Sequence, residues 1–206
     1  MYNIKIMNNK NSLAVVRRQK IVKAGYIVEY LTPEEIERMV EVAKAKKKNK
    51  ARDALFIRFL FITGARVSEA IGVEVRDVKK EGGVCYVFIR EGKGNKKRKT
   101  GISEMFYNEV MAYAYKKGLP PDKKLFPFNR QRGWQIIKEV SKKAGIDKNV
   151  YPHLLRHSDA IYRLKKTGNP KALQHHLGHS TITMTMRYLA TLTEEEAVRI
   201  EAEVEF

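Results

Sequence analysis

Val84-Cys85-Tyr86-Val87-Phe88-Ile89, then Gly92-Lys93-Gly94-Asn95, then Lys97 to Ile102, is the stretch that decides the fold. The first run is rich in β-branched and aromatic residues, the second is a hairpin turn signal, and the third can return antiparallel. Gly82-Gly83 marks another turn just ahead of it. Elsewhere the apolar residues recur at helical spacing. The predicted fold class is therefore mainly α with a small antiparallel β-sheet, and the sheet has a basic tip.

Toward the N-terminus, Thr32-Pro33-Glu34-Glu35 is a capping box with Pro at the first helical position. Ile36, Met39, Val40 and Ala43 form the apolar stripe of the helix it opens. Lys46-Lys47-Lys48-Asn49-Lys50 reads as a loop. Asp53 is placed to cap a second helix through Ile62, apolar on nearly all sides and so central, which Thr63-Gly64 ends. A short helix follows through Val67, Ala70 and Ile71, and residues 73–78 alternate weakly as a strand would. Toward the C-terminus, helices are predicted near 104–117, 130–144, 154–167, 170–177 and 181–188, with a loop at Pro120-Pro121. Thr193-Glu194-Glu195-Glu196 is a second capping box. The expected organisation is a basic arm or linker over 1–30, a catalytic domain over 31–192 and an acidic tail helix over 193–206.

The 206 residues include 41 Lys and Arg against 23 Asp and Glu, a net charge of +18. A surplus of that size calls for a polyanion, and nucleic acid is the leading partner. The cations cluster at 44–52 and 90–99, while the end of the chain is acidic. A hydrophobic fraction of 43% supports a buried core and excludes a disordered basic tail. Cys85, the one cysteine, excludes an internal disulfide framework and a cysteine-rich zinc module. The longest apolar stretch, Ala54 to Ala65, carries Arg58 and falls short of the roughly 20 residues a membrane span needs. No secretory signal is apparent, so the expected location is cytoplasmic, at the nucleoid when bound.

Four stretches carry residue types that fit one reaction: Thr63-Gly64-Ala65-Arg66-Val67-Ser68-Glu69-Ala70, Gly92-Lys93-Gly94-Asn95-Lys96, His153-Leu154-Leu155-Arg156-His157-Ser158, and Leu177-Gly178-His179-Ser180 with Tyr188 beyond it. Arg66 pairs naturally with Glu69 three positions on. His153 and Arg156 share one face of a helix start and aim a donor and a guanidinium at one anion. His179 follows a glycine, where backbone N–H groups point outward. Two guanidiniums can neutralise the non-bridging oxygens of a phosphodiester, and a tyrosine hydroxyl can attack its phosphorus. A lysine on a flexible hairpin can protonate the leaving oxygen.

These strings, in this order, resemble the signature of the tyrosine recombinases, the phage integrase family, and most resemble its Xer-type and integrase branch. The likeness runs from Leu31 through Tyr188. It implies the tyrosine recombinase catalytic-domain fold and site-specific cleavage and rejoining of double-stranded DNA through a 3′-phosphotyrosyl link, without metal, ATP or other cofactor. By the same resemblance Arg66 and Arg156 are the catalytic arginines, with Glu69 supporting the first. Lys93 protonates the leaving 5′ oxygen, His153 serves proton transfer, His179 binds a non-bridging oxygen and Tyr188 is the nucleophile. Lys96 and Lys97 stand close enough to Lys93 to compete for the acid's role. Lys47, Lys48, Lys96, Lys97, Arg98 and His176 are the expected DNA contacts. The active form is expected to be a tetramer on DNA, monomeric when free, with no membrane. Val198, Ile200, Val204 and Phe206 are expected to dock on a neighbouring protomer. Family members usually carry a DNA-clamping domain ahead of the catalytic one; here only the arm precedes it, as in a fragment or a minimal member.

Rival readings are a type IB topoisomerase-like strand transferase and a non-catalytic DNA-binding remnant. A metal site at the histidines lacks its carboxylate or cysteine set. His157 reads as a core hydrogen-bonding histidine, and Trp134, Phe56, Phe59 and Phe61 read as core.

Overall fold

The computed structural model describes residues 29–90 and 97–202. The first helix, α1 (Pro33–Lys44), begins as its capping box dictates: Glu35 N donates to Thr32 Oγ1 at 3.2 Å, and Thr32 N donates to Glu35 Oε2 at 2.8 Å. A cap of this kind contributes about 1 kcal/mol. Ile36, Met39, Val40 and Ala43 all turn inward.

Helix α2 (Lys50–Thr63) buries nearly its whole circumference and packs against α1. Its start corrects the expectation for Asp53. The cap position is Asn49, in the left-handed region at φ 57°, and Asp53 lies a turn inside. There the Asp53 carboxylate is fully buried and pairs with Lys46 and, at 2.8 Å, Arg52. It ties the Lys-rich loop to the helix, and its charge still favours the first turn. Gly64 ends α2 at φ 56°, where an added Cβ would lie 2.6 Å from Asp159 Oδ2 and 2.8 Å from Leu177 Cδ2.

After α3 (Val67–Ala70), residues 73–78 are not a strand as expected. A 3₁₀ turn over Val75–Asp77 intervenes, because Asp77 accepts from Glu74 N at 2.9 Å and closes the chain on itself. Strands β1 (Val78–Glu81), β2 (Val84–Ile89) and β3 (Arg98–Ile102) then form an antiparallel sheet in the order β1-β2-β3. Glu81 faces Val84, and both Gly82 and Gly83 have positive φ, the two-residue hairpin turn that suits the strand twist. Cys85, Val87 and Ile89 face the core, while Tyr86 on the other face carries Lys99 Nζ 4.4 Å from its ring centre.

Helices α4 (Glu104–Lys116), α5 (Arg130–Lys143), α6 (Pro152–Thr167) and α7 (Pro170–Leu177) follow near their predicted places. Phe56, Phe59, Phe106 and Phe126 are the largest side chains of the main core, and Phe61 is partly buried beside it. Trp134 is not core: it is 49% exposed, on the face of α5 that Lys138 shares, while Ile136, Ile137 and Val140 turn inward. The helix expected over 181–188 is broken into α8 (Thr183–Met186) and a 3₁₀ turn at Leu189–Thr191. Three threonines and an isoleucine in six residues from Thr181 disfavour a long helix there, and Thr191 Oγ1 bonds back to Tyr188 O at 2.5 Å.

A second, smaller core joins Ala160, Ile161, Leu164, Leu173, Leu177 and Tyr188. Helix α9 (Glu194–Ala202) packs on α6, with Glu196 paired to Lys165 at 2.6 Å. Ile200 lies against Gly168 of the same chain, half-buried; Val198 is exposed, and Val204 and Phe206 lie outside the described residues. Among the described residues no helix is long and apolar enough to cross a membrane.

Candidate active site

Arg66 stands at the mouth of α3, where the chain leaves α2. Its backbone N–H donates to Glu69 Oε2 at 2.9 Å and its guanidinium to Glu69 Oε1 at 2.7 Å. Arg98 donates to the same carboxylate at 2.8 Å. Burial alone would raise the Glu69 carboxyl, but the Arg98 bond and charge, with the Arg66 bonds, hold it below its ordinary value. Arg66 thus keeps a partly exposed guanidinium on a buried anchor.

Two expected DNA contacts belong to that anchor instead. Arg98 is buried, and its Nε donates to His176 O at 3.0 Å. Gly178, at φ 67°, leaves room for it: an added Cβ would lie 3.0 Å from Arg98 Cδ. His176 is likewise buried, its Nε2 2.8 Å from Asp159 Oδ2, and Arg163 holds the other Asp159 oxygen at 2.7 Å. Both side chains sit inward because β3 and α7 pack face to face, where an unpaired polar or charged group would be costly. Arg98→Ala is therefore expected to destabilise the fold by about 3–5 kcal/mol, read by urea unfolding. The Glu69 contribution is present above the ordinary carboxylate range and is lost as pH falls through its lowered folded value, so the variant's deficit narrows in acid.

Arg156 projects from the second turn of α6 and is 2% exposed. Its guanidinium donates to Gly64 O and, at 2.8 Å, to Leu177 O. These carbonyls close α2 and α7, the partially negative ends of both helices. Burial first, and the Arg66 charge second, lower Arg156 to about 10, so it remains a cation at neutral pH. The Arg66 and Arg156 guanidiniums thus feel each other's charge, and the nearby Glu69 carboxylate, bonded to Arg66 and Arg98, offsets part of it. Their mutual repulsion favours an anion that bridges them.

The aromatic side chains complete the site. His179 follows Gly178 at the end of α7 in a Schellman motif, with His179 N bonded to Gln174 O and Gly178 N to His175 O, both at 3.0 Å. Its Nδ1 lies 2.8 Å from Thr185 Oγ1, and its ring lies nearly parallel to that of Tyr188, 6.4 Å between centres. Tyr188 is 2% exposed. Burial raises its phenol above the ordinary range, against the lowering effect of Arg156. His157 does form hydrogen bonds, but its partner is Tyr188: Nδ1 lies 2.7 Å from Oη. His153 meets His157 edge to face at 5.0 Å. Burial and neighbouring cations lower all three histidines, His157 and His179 to about 4, so they are neutral at pH 7.

An open cleft beside Arg66 and His153 is lined by Ser68, Arg130, Gln131 and Trp134. Lys97 is exposed and shares a shallow depression with His175 and His179. Lys47 and Lys48 are exposed on the α1–α2 loop, and Lys47 lines a separate cleft with Lys116 and Lys117. Lys93 and Lys96 lie outside the described residues. Among the described residues no group of His, Cys, Asp or Glu converges as metal ligands would. The sequence did hold a signal for the Arg98 anchor: Arg98 alternates with Thr100 as the cross-strand partners of Ile89 and Val87, on the same inward-pointing face of the sheet.

The chain matches the phage integrase family over residues 29–195. It is 33% identical over 182 residues to the tyrosine recombinase XerA of Pyrococcus furiosus, covering 84% of this chain and 60% of that protein. The chain spans about half the length of the curated relatives it matches. Its fold superposes on the catalytic domain of bacteriophage HP1 integrase with a TM-score of 0.63 at 25% identity, covering 85% of this chain and 96% of that one. It also superposes on the XerH site-specific recombinase bound to its difH substrate, with a TM-score of 0.65 at 26% identity, covering 85% of this chain and 53% of that one.

Proposed function

Because the chain belongs to the phage integrase family, a family of tyrosine recombinases, we propose that it cleaves and rejoins double-stranded DNA at a specific site through a 3′-phosphotyrosyl intermediate on Tyr188. The observation that carries this reading is the buried Arg156, held by two helix-end carbonyls, in the same pocket as Tyr188, His179 and the Glu69-anchored Arg66.

In this reading Arg66 and Arg156 hold the two non-bridging oxygens of the scissile phosphate and neutralise the charge that grows on them. His179 donates a further hydrogen bond to one of those oxygens, and His153 stands on the cleft side for proton transfer. The Tyr188 oxygen attacks phosphorus, and the leaving 5′ oxygen takes a proton from Lys93. The tyrosyl link retains the phosphodiester's energy, so the reverse attack rejoins the strand and the reading calls for no metal or nucleotide. Lys47, Lys48, Lys96 and Lys97 add backbone contacts that position the duplex without reading its sequence. Recombination assembles four copies on DNA. Tyr188 is covered, so the segment from His179 to Leu192 must yield for a phosphate to reach it.

The test is covalent trapping. Incubated with a nicked suicide duplex and then denatured, the protein is expected to carry DNA of matching length into the gel. Relaxation of supercoiled plasmid without strand exchange would make it a topoisomerase-like transferase. Salt-sensitive binding with no adduct on any duplex would make it a DNA-binding protein without catalysis.

A further inference from the structure

The Tyr188 hydroxyl is bonded to a histidine outside the six-residue catalytic set. His157 lies one turn beyond His153 on α6, and its Nδ1 is 2.7 Å from Tyr188 Oη. The other two histidines are placed differently. His179 lies across the face of the Tyr188 ring, with its Nδ1 engaged by Thr185, and His153 lies against the His157 ring.

We propose, resting on the strand-transfer reading above, that His157 is the base for the nucleophile: Nδ1 takes the Tyr188 proton as Oη attacks phosphorus and returns it when the strand is rejoined. In the forward step the Oη–P bond forms and the P–O5′ bond breaks. The phenol proton moves to His157, which becomes imidazolium, and the leaving oxygen takes its proton from the separate acid assigned to Lys93. Rejoining reverses each transfer, so the site ends as it began.

The surroundings fit that task. The charged and titratable groups facing His157 are His153 and Arg156 on its own helix, and Arg187 and Tyr188 on the segment after α8. None is a carboxylate. Burial and these cations keep the ring neutral, and the tautomer with its proton on Nε2 leaves Nδ1 able to accept from Tyr188 Oη. A phosphate bound by Arg66 and Arg156 brings negative charge close to His157, which no carboxylate faces. That charge grows in the transition state and favours the imidazolium. The base is therefore weak in the free protein and strengthens where the substrate sits.

The experiment measures single-turnover adduct formation on the nicked suicide duplex across pH, for the wild type, His157→Ala and His157→Gln. Melting curves and duplex affinity check that each variant folds and binds. Glutamine can hold the hydroxyl by a hydrogen bond but cannot take its proton. Both variants are expected to slow cleavage by about 10²–10⁴-fold. Their rates should climb with pH toward the phenol's own ionisation, where the wild type is level. Added imidazole should restore part of the rate to His157→Ala. A fluorinated, more acidic tyrosine at position 188 should shrink the defect. Wild-type rates in His157→Gln would reduce the contact to orientation and overturn the proposal. Faster cleavage in either variant would make the contact a restraint and overturn it equally. A wild type that forms no adduct would overturn the strand-transfer reading, and this proposal with it.

Discussion

Arg156→Lys is expected to cut adduct formation by about 10²–10³-fold while leaving duplex affinity almost unchanged. The magnitude is that of losing one preorganised donor to a developing oxyanion. Lysine keeps the charge but not the geometry. The guanidinium spans Gly64 O and Leu177 O and still has N–H groups left for a phosphate. An ammonium is a point charge on a flexible stem and cannot hold those positions together. One helix-end carbonyl should lose its partner, at a cost of about 1–3 kcal/mol in stability. Affinity survives because many phosphate contacts share it, whereas the cleavage step depends on this one. A gel-shift titration beside the trapping assay separates the two effects. Equal losses in both would show that Arg156 serves binding alone.

Tyr188→Phe is expected to give no adduct at any enzyme concentration, with binding retained. The ring belongs to the small core of Ala160, Ile161, Leu164, Leu173 and Leu177, and phenylalanine fills the same space. What disappears is the oxygen that attacks and the bond to His157 Nδ1. The ring nitrogen left behind costs about 1–3 kcal/mol if it stays dry, which a thermal melt should register as a small drop. An unfolded variant would confuse loss of the nucleophile with loss of the site. The conservative fit of phenylalanine avoids that.

Much of this architecture is legible in the sequence because it is local. The Thr32 box, the Gly82-Gly83 turn and the Gly64 and Gly178 helix ends each follow from a few adjacent residues. The candidate site residues stand out because arginine, histidine and tyrosine recur in motif order. What escapes the sequence is tertiary. Asp53 has the right residue type for a cap, yet its partners Lys46 and Arg52 draw it inward. Arg98 and His176 look like surface cations until β3 and α7 come together and give each an internal partner. Trp134 looks like core by residue type, but its position on α5 turns it outward. His157 sits beside Arg156 in the sequence, and only the return of the chain through α8 sets it against Tyr188.

The most direct measurement is to map the covalent bond itself. The trapped complex would be digested with nuclease and protease, and the nucleotide-bearing peptide fragmented by mass spectrometry. The account predicts a 3′-linked nucleotide on Tyr188 and a free 5′ hydroxyl on the released strand. A 5′ linkage, or a nucleotide on any other residue, would contradict it.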